Sequence, residues 1–287
     1  MHTSCHASES LQYAKEHLFE RNSVVRDHEL LAEAIRHGRG RIDPGQLRGA
    51  LELEQSQGSI IRAAGNLATR ESLDREQRMI AVVNRGIGHF ERLGGKSDFR
   101  PSEGLREEQR RAVHQVLNSR DLAINLRGAA GTGKTATLHE IDLDLCNAGR
   151  EVVAVAPTRS AVDELKRVGL SDAMTISRLL EDSAMQASLH GKVLVVDEAG
   201  MVSGRQMEGL LKLAERERAR ILFSGDTRQI QSVEASDALR ILERESQMKS
   251  VSLIGVRVGK LWRFRASDLF SPLFDNEDHL DDDDQAG

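Results

Sequence analysis

Aromatic residues are scarce: Phe, Trp and Tyr make up 3% of the 287 residues. That excludes an extensive platform for stacking nucleic-acid bases. No apolar run approaches the ~18 residues of a membrane-crossing helix. The N-terminal stretch MHTSCHASES lacks the charged and apolar regions of a signal peptide. Cysteine is nearly absent. Cys5 and Cys146 are far apart, which excludes a disulfide framework and points to a reducing, cytoplasmic setting. His2, Cys5 and His6 lie close together, but a fourth ligand at a usable spacing is missing, so no structural metal site is expected. Charge of one sign is lacking as well. The net charge is −5, and the acidic stretch Asp275–Asp284, DNEDHLDDDD, holds seven of the 45 acids. Outside it, 40 Lys and Arg face 38 acids. This balance permits nucleic-acid binding without demanding it.

What is present is organised around Leu122–Thr137, LAINLRGAAGTGKTAT. The apolar run Leu122–Leu126 reads as a buried strand. It empties into Gly128–Thr135, which satisfies G-x-x-x-x-G-K-[ST]. Gly128, Gly131 and Gly133 let the loop curl, so that the N–H groups of Ala130 to Thr135, with Thr132 among them, line a concave anion site. Lys134 is placed to reach the β- and γ-phosphates of a nucleotide, and the Thr135 hydroxyl to take Mg²⁺. A helix over Ala136–Cys146 would aim its positive end at the same phosphates.

Three further short apolar runs, Glu151–Ala156, Lys192–Val196 and Ala219–Ser224, read as strands separated by helical segments. That alternation predicts an α/β fold: a parallel sheet flanked by helices, buried on both faces. The third of the four strands ends in Asp197-Glu198. Asp197 would hold the metal, and Glu198 would orient and deprotonate an attacking water. Gly225–Gln229 follows the fourth strand, and Gln229 could sense the γ-phosphate. Gln109, on a helix over Leu105–Leu117 ahead of the loop, could donate to and accept from an adenine edge. Alone it would read as a solvated helical glutamine. Thr158 and Arg159, after the second strand, suit a phosphate of single-stranded nucleic acid. Thr175, Ile176 and Ser177 offer a second contact. For both stretches the plain alternative is a solvated polar turn.

Upstream, helical spacing over Ser10–Glu20 and Asp27–His37 precedes a helix opened by Asp43-Pro44. Ser59–Ala63 and Leu67–Arg70 could then form a hairpin about Ala64-Gly65-Asn66. The outline fits a winged helix and a small helical cap equally. Ser72 can cap a long helix through Arg92, ended by Gly94-Gly95. The expected division is a helical accessory domain over 1–95, a linker over 96–104, a nucleotide-binding domain over 105–253 and a tail over 254–287.

The stretches GAAGTGKT, APTRSA, VVDEAGMVS and FSGDTRQIQSVEASDAL, in this order, resemble the first motor domain of a superfamily 1 DNA helicase. The pattern is similar to the helicase part of conjugative relaxase–helicases of the TraI/TrwC type and to RecD-like helicases. It extends upstream through HLFERNSVV and ATRESLDRE, covering Leu11–Leu253. The resemblance implies a RecA-like P-loop fold of the AAA ATPase kind. It also implies ATP and Mg²⁺ as ligands, and ATP hydrolysis coupled to 5′-to-3′ movement on single-stranded DNA during plasmid transfer.

Two departures qualify that expectation. A relaxase needs a nicking tyrosine and a metal-binding histidine cluster. The one tyrosine, Tyr13, has no histidine triad downstream, so nicking is not expected. A second RecA-like domain, which supplies an arginine finger, cannot be built from the 34 residues after Leu253. The expectation is a truncated motor, either completed by a partner chain or retained as an inert nucleotide- or DNA-binding remnant. Gly255–Leu269 resembles the wing and last helix of an excisionase-type DNA-binding domain, and the acidic end reads as a solvated tail.

Overall fold

The computed structural model describes residues 2–20, 22–95, 99, 102, 104–128, 133–225, 237–253, 256–258 and 261–263. The chain opens with α1 (His2–Phe19), β1 (Val25–Arg26), α2 (Asp27–Gly38), α3 (Pro44–Ser56), β2 (Ile60–Ala63) and β3 (Asn66–Thr69). The Asp43 side chain caps α3 by accepting from the Gln46 N–H at 3.2 Å, with Pro44 in the first turn. β2 and β3 form the expected hairpin around Ala64-Gly65, which have φ of 48° and 77°. Two left-handed residues are what a tight two-residue hairpin turn demands. β1 pairs antiparallel with β3, so the sheet order is β1-β3-β2. Two residues are too few to leave a periodic trace in the sequence, so β1 has no counterpart among the expected elements. Leu11, Leu30, Leu47, Leu51 and Leu67 are fully buried in a separate small core.

β3 runs straight into α4 (Arg70–Arg85). The cap is the Thr69 hydroxyl, accepting from Ser72 N–H at 3.0 Å, and not Ser72 itself. The helix also stops at Gly86, short of the expected Arg92. A Cβ at Gly86 would lie 2.2 Å from the Leu122 Cβ, so glycine lets the chain turn closely over the first sheet strand. Met79, Val82 and Val83 of α4 pack in the apolar layer of the larger, C-terminal unit.

That unit contains α5 (Glu107–Asn118), β4 (Ala123–Gly128), α6 (Lys134–Asn147), β5 (Val152–Ala156), α7 (Arg159–Arg167), β6 (Met174–Thr175), α8 (Ile176–Glu181), α9 (Ser183–Ala187) and β7 (Val193–Val196). A 3₁₀ turn (Ala199–Met201), α10 (Gly204–Glu217), β8 (Arg220–Gly225), α11 (Ala238–Glu245) and β9 (Lys249–Leu253) follow. β10 (Val256–Val258) and β11 (Leu261–Arg263) form a separate antiparallel ribbon. The helix expected after that ribbon, and the acidic tail, lie outside the described residues. No helix among the described residues is long and apolar enough to cross a membrane.

The main sheet has six parallel strands in the order β6-β5-β7-β8-β4-β9. The four expected strands form its centre. The edges, β6 and β9, escape a search for apolar runs because one is two residues long and the other, KSVSL, is half polar. Successive residues of each central strand serve opposite layers. Leu194, Val196, Ile221 and Phe223 join α4, α10 and α11 on one side. Val193, Val195, Leu222, Ile124 and Leu126 join α5 and α6 on the other. A parallel strand buried on both faces therefore shows no polar alternation.

Arg220 closes the end of the sheet away from the strand C-termini. It is 7% exposed. Its guanidinium donates to the carbonyls of Asp121 (2.9 Å), Glu91 (3.0 Å) and Ser119 (3.0 Å). Burial pulls its pKa down to about 10, with the nearby Arg150 adding to the effect and Asp121 opposing it. Loss of this group would remove a donor from three carbonyls, of which Ser119 keeps the Leu93 N–H at 3.1 Å. Arg220→Met should therefore cost about 2–4 kcal/mol of unfolding free energy in urea titrations; a loss within experimental error would show that water replaces the guanidinium freely. On α6, burial and the neighbouring Glu140 raise the Asp144 carboxyl to about 6. A folded-state pKa above the unfolded value means that the proton favours folding, and this stability is lost as pH rises from about 4 through 6. Asp144→Asn should thus stabilise the chain at pH 7.5 by about 1 kcal/mol after allowance for solvent screening. The gain should shrink at pH 5, and an equal gain at both pH values would show that it does not come from the buried carboxylate.

Candidate nucleotide site and the sheet edge around it

In parallel strands all carboxyl ends fall on one edge, where open α/β sheets bind ligands. The register brings Gly128, Asp197, Gly225, Ala156 and Thr175 to that edge: Arg127 pairs with Gly225, Val196 with Phe223, Val155 with Val196, and Ala156 with Thr175. Gly128 ends β4, and Lys134 and Thr135 begin α6, half-buried. Ala130, Gly131 and Thr132 lie outside the described residues.

Gly133 is the helix N-cap, with φ 84° and ψ 27°, in the left-handed region. A Cβ there would meet the Gln109 Nε2 at 2.5 Å. The left-handed backbone favours glycine there, and a Cβ would also push aside the end of the Gln109 side chain. The Gly133 carbonyl accepts from the Thr137 N–H (3.0 Å), the Thr137 hydroxyl (3.0 Å) and the Gln109 amide (3.1 Å). The Gln109 Oε1 accepts from the Arg106 N–H at 3.0 Å. Gln109 is therefore not a solvated surface residue; it is 6% exposed and ties α5 to the last glycine of the loop.

Asp197 follows β7 and donates its N–H to the Val155 carbonyl at 2.9 Å. Its Oδ1 accepts from the Ser224 hydroxyl at 2.8 Å. Ser224 is fully buried on β8, the strand between β7 and β4. A lone serine in an apolar run carries no sequence signal, so this support of Asp197 is visible only in three dimensions. Glu198 is exposed and has φ 49° and ψ 38°. A glutamate held in the left-handed region is a strained residue, and such residues cluster at functional sites. Gly225 completes the turn: a Cβ there would lie 3.0 Å from the Gly200 nitrogen. Gln229 lies outside the described residues.

The Thr158 hydroxyl caps α7 by accepting from Ala161 N–H at 3.2 Å. Arg159 is exposed in the first turn. The Thr175 hydroxyl caps α8 by accepting from Arg178 N–H at 3.3 Å. Both threonines therefore spend an acceptor on helix starts. Ile176 is fully buried in the core, which corrects its reading as an outward contact. Ser177 is exposed, and its hydroxyl accepts from the Gln206 amide at 3.4 Å.

The strand–glycine loop–helix unit, with an acid at the end of a parallel strand two places away, defines a P-loop nucleotide-binding core. A family model described as an AAA domain matches residues 104–269, more than half of the chain, and the chain belongs to that family. Among curated relatives, a probable conjugal transfer protein TraA of Sinorhizobium fredii is 30% identical over 188 residues, covering 63% of this chain and 17% of that protein. The multifunctional conjugation protein TraI of Escherichia coli K12 is 26% identical over 196 residues, covering 63% and 11%. The ATP-dependent RecD2 DNA helicase of Deinococcus radiodurans is 31% identical over 221 residues, covering 68% and 30%. The chain thus spans less than a third of these relatives' lengths, and what it shares with them is a helicase-type motor of the TraI and RecD kind.

Glu198 yields a direct test of the strain. Glycine has no left-handed penalty, so Glu198→Gly should raise the unfolding free energy by up to about 1 kcal/mol despite its greater unfolded-state freedom. A loss of stability in thermal or urea unfolding would show that the glutamate side chain more than offsets its backbone.

Proposed function

We propose that the chain is an ATP-binding motor domain that hydrolyses ATP with Mg²⁺ and acts on single-stranded DNA during conjugative transfer. The observation that carries this reading is the Ser224–Asp197 hydrogen bond. It orients a carboxylate at the same sheet edge as the phosphate-loop glycines, as a metal ligand needs.

The residues present fit a magnesium–nucleotide. Lys134 and the N–H groups of the loop and first turn of α6 would hold the phosphates, and Thr135 and Asp197 the metal. Bound Mg²⁺ supplies charge neutralisation to the phosphoryl group. Glu198 would take the proton of the attacking water, Gln229 would report the γ-phosphate, and Gln109 supports the loop through Gly133 beside the expected adenine. Thr158, Arg159 and Thr175 stand at the ends of adjacent strands, where Arg159 can meet a DNA phosphate. Under this reading the N-terminal helices and hairpin are an accessory domain. The arginine finger comes from a second motor domain, in the same protein or a partner chain. The setting is the cytoplasm.

The experiment is ATP turnover with and without single-stranded DNA, on the chain and on Lys134→Ala. Turnover should rise with DNA and vanish in Lys134→Ala, which should also bind nucleotide at least about tenfold more weakly. Equal turnover and equal nucleotide affinity in the two proteins would defeat the reading. Nucleotide binding without turnover would support the inert-remnant alternative instead.

A further inference from the structure

We infer that Glu243 on α11 is a positioning residue for the phosphate loop, acting through Arg127, the residue immediately before Gly128; this rests on the nucleotide-binding reading above. On β4, the face that turns toward α11 becomes polar beyond Ala123, where the neighbouring β8 carries Ile221 and Phe223. It carries Asn125, fully buried, and Arg127, with a quarter of its side chain exposed. Both converge on one carboxylate. Arg127 reaches Glu243 with Nε at 3.0 Å from Oε1 and Nη2 at 2.7 Å from Oε2. Asn125 donates to Oε1 at 2.5 Å, and the Ser250 hydroxyl on β9 donates to it at 3.1 Å. The Glu243 side chain is 4% exposed.

A bidentate guanidinium–carboxylate pair fixes direction as well as distance. Buried pairs of this kind seldom stabilise a fold more than apolar residues of equal volume would. The network is also incomplete, since the buried Asn125 Oδ1 has no partner. Maximal stability therefore does not explain it, whereas its place does. Arg127 sits at the mouth of the loop and pairs across the sheet with Gly225 on one side and Ser252 on the other. α11 begins at Ala238, just beyond the segment that starts at Gly225. Glu243 thus joins the helix that follows the Gly225–Gln229 stretch to the strand that launches the phosphate loop. Movement of one is felt by the other through a rigid fork.

The test measures mant-ATP affinity by fluorescence, together with the melting midpoint of the nucleotide-free protein, for the full chain, Arg127→Gln, Glu243→Gln, the double variant and Arg127→Lys. Each single Gln variant should weaken mant-ATP binding about fivefold or more. The double variant should be no worse than the weaker single, because both remove one link. Arg127→Lys should recover part of the loss. Affinities within about twofold of the parent alongside a lowered midpoint would make the cluster structural and overturn the inference. Additive losses in the double variant, or tighter binding by Glu243→Gln, would overturn it too. Ser250→Ala removes one exposed contact to Glu243 and keeps the test open should the Gln variants not fold. It should weaken binding about twofold to threefold, and unchanged affinity would then count against the inference. A parent chain that binds no mant-ATP would defeat the nucleotide reading itself, whereas a binding parent with unaffected variants defeats only the role of Glu243.

Discussion

A central strand in this parallel sheet cannot show one face to water, because the crossovers between strands lay helices on both sides. From that constraint most of the molecule follows. Such strands tend to be apolar in both directions, so Val193 to Val196 and Ile221 to Phe223 divide alternately between two layers. Every strand must also point the same way, so every strand-to-helix turn falls on one edge. Gly128, Gly133, Asp197, Gly225, Thr158 and Thr175 share that edge for no more elaborate reason than this.

The two ends of the sheet solve opposite problems. At the carboxyl edge, polar groups are left with vectors set and reach retained: Gly133 is braced by three donors and Asp197 by Ser224. At the other end, polar groups are consumed. The Arg220 guanidinium uses its donors on backbone carbonyls from two connecting segments, and Asp121 Oδ1 accepts from the Gly88 N–H at 2.9 Å. An arginine among carbonyls stays charged at neutral pH even with its pKa pulled down to about 10, so this end remains tied under ordinary conditions. The tied end carries the reference frame, and the open end carries the groups proposed to meet the nucleotide.

The central sheet is legible in the sequence because doubly buried strands are dense in β-branched and aliphatic residues. The glycine-loop pattern and the Asp197-Glu198 pair also stand out in the sequence, since the chemistry proposed for them needs particular residue types at particular spacing. What stays hidden is instructive. β1 and β6 are two-residue pairings made by tertiary contact, and β9 is an edge strand whose outer residues face solvent. α4 ends at Gly86 although apolar periodicity continues past it, because close approach to Leu122 overrides helix propensity. Ile176 sits in a polar-looking stretch yet points inward. Ser224 and Glu243 act through partners distant in sequence, at Asp197 and Arg127. A single chain without its contacts gives no hint of such pairs.

The passage from β3 into α4 has a mechanical side. Thr69 is both the last residue of the hairpin strand and the cap of the helix, so no slack chain separates the small N-terminal core from a helix embedded in the large one. Sixteen helical residues make a rod of about 24 Å. A swivel needs a loose joint, and here the joint is a capped helix start, so the rod acts as a crank. Any rotation of the sheet beneath α4 would be carried outward, with a displacement that grows with distance from the sheet.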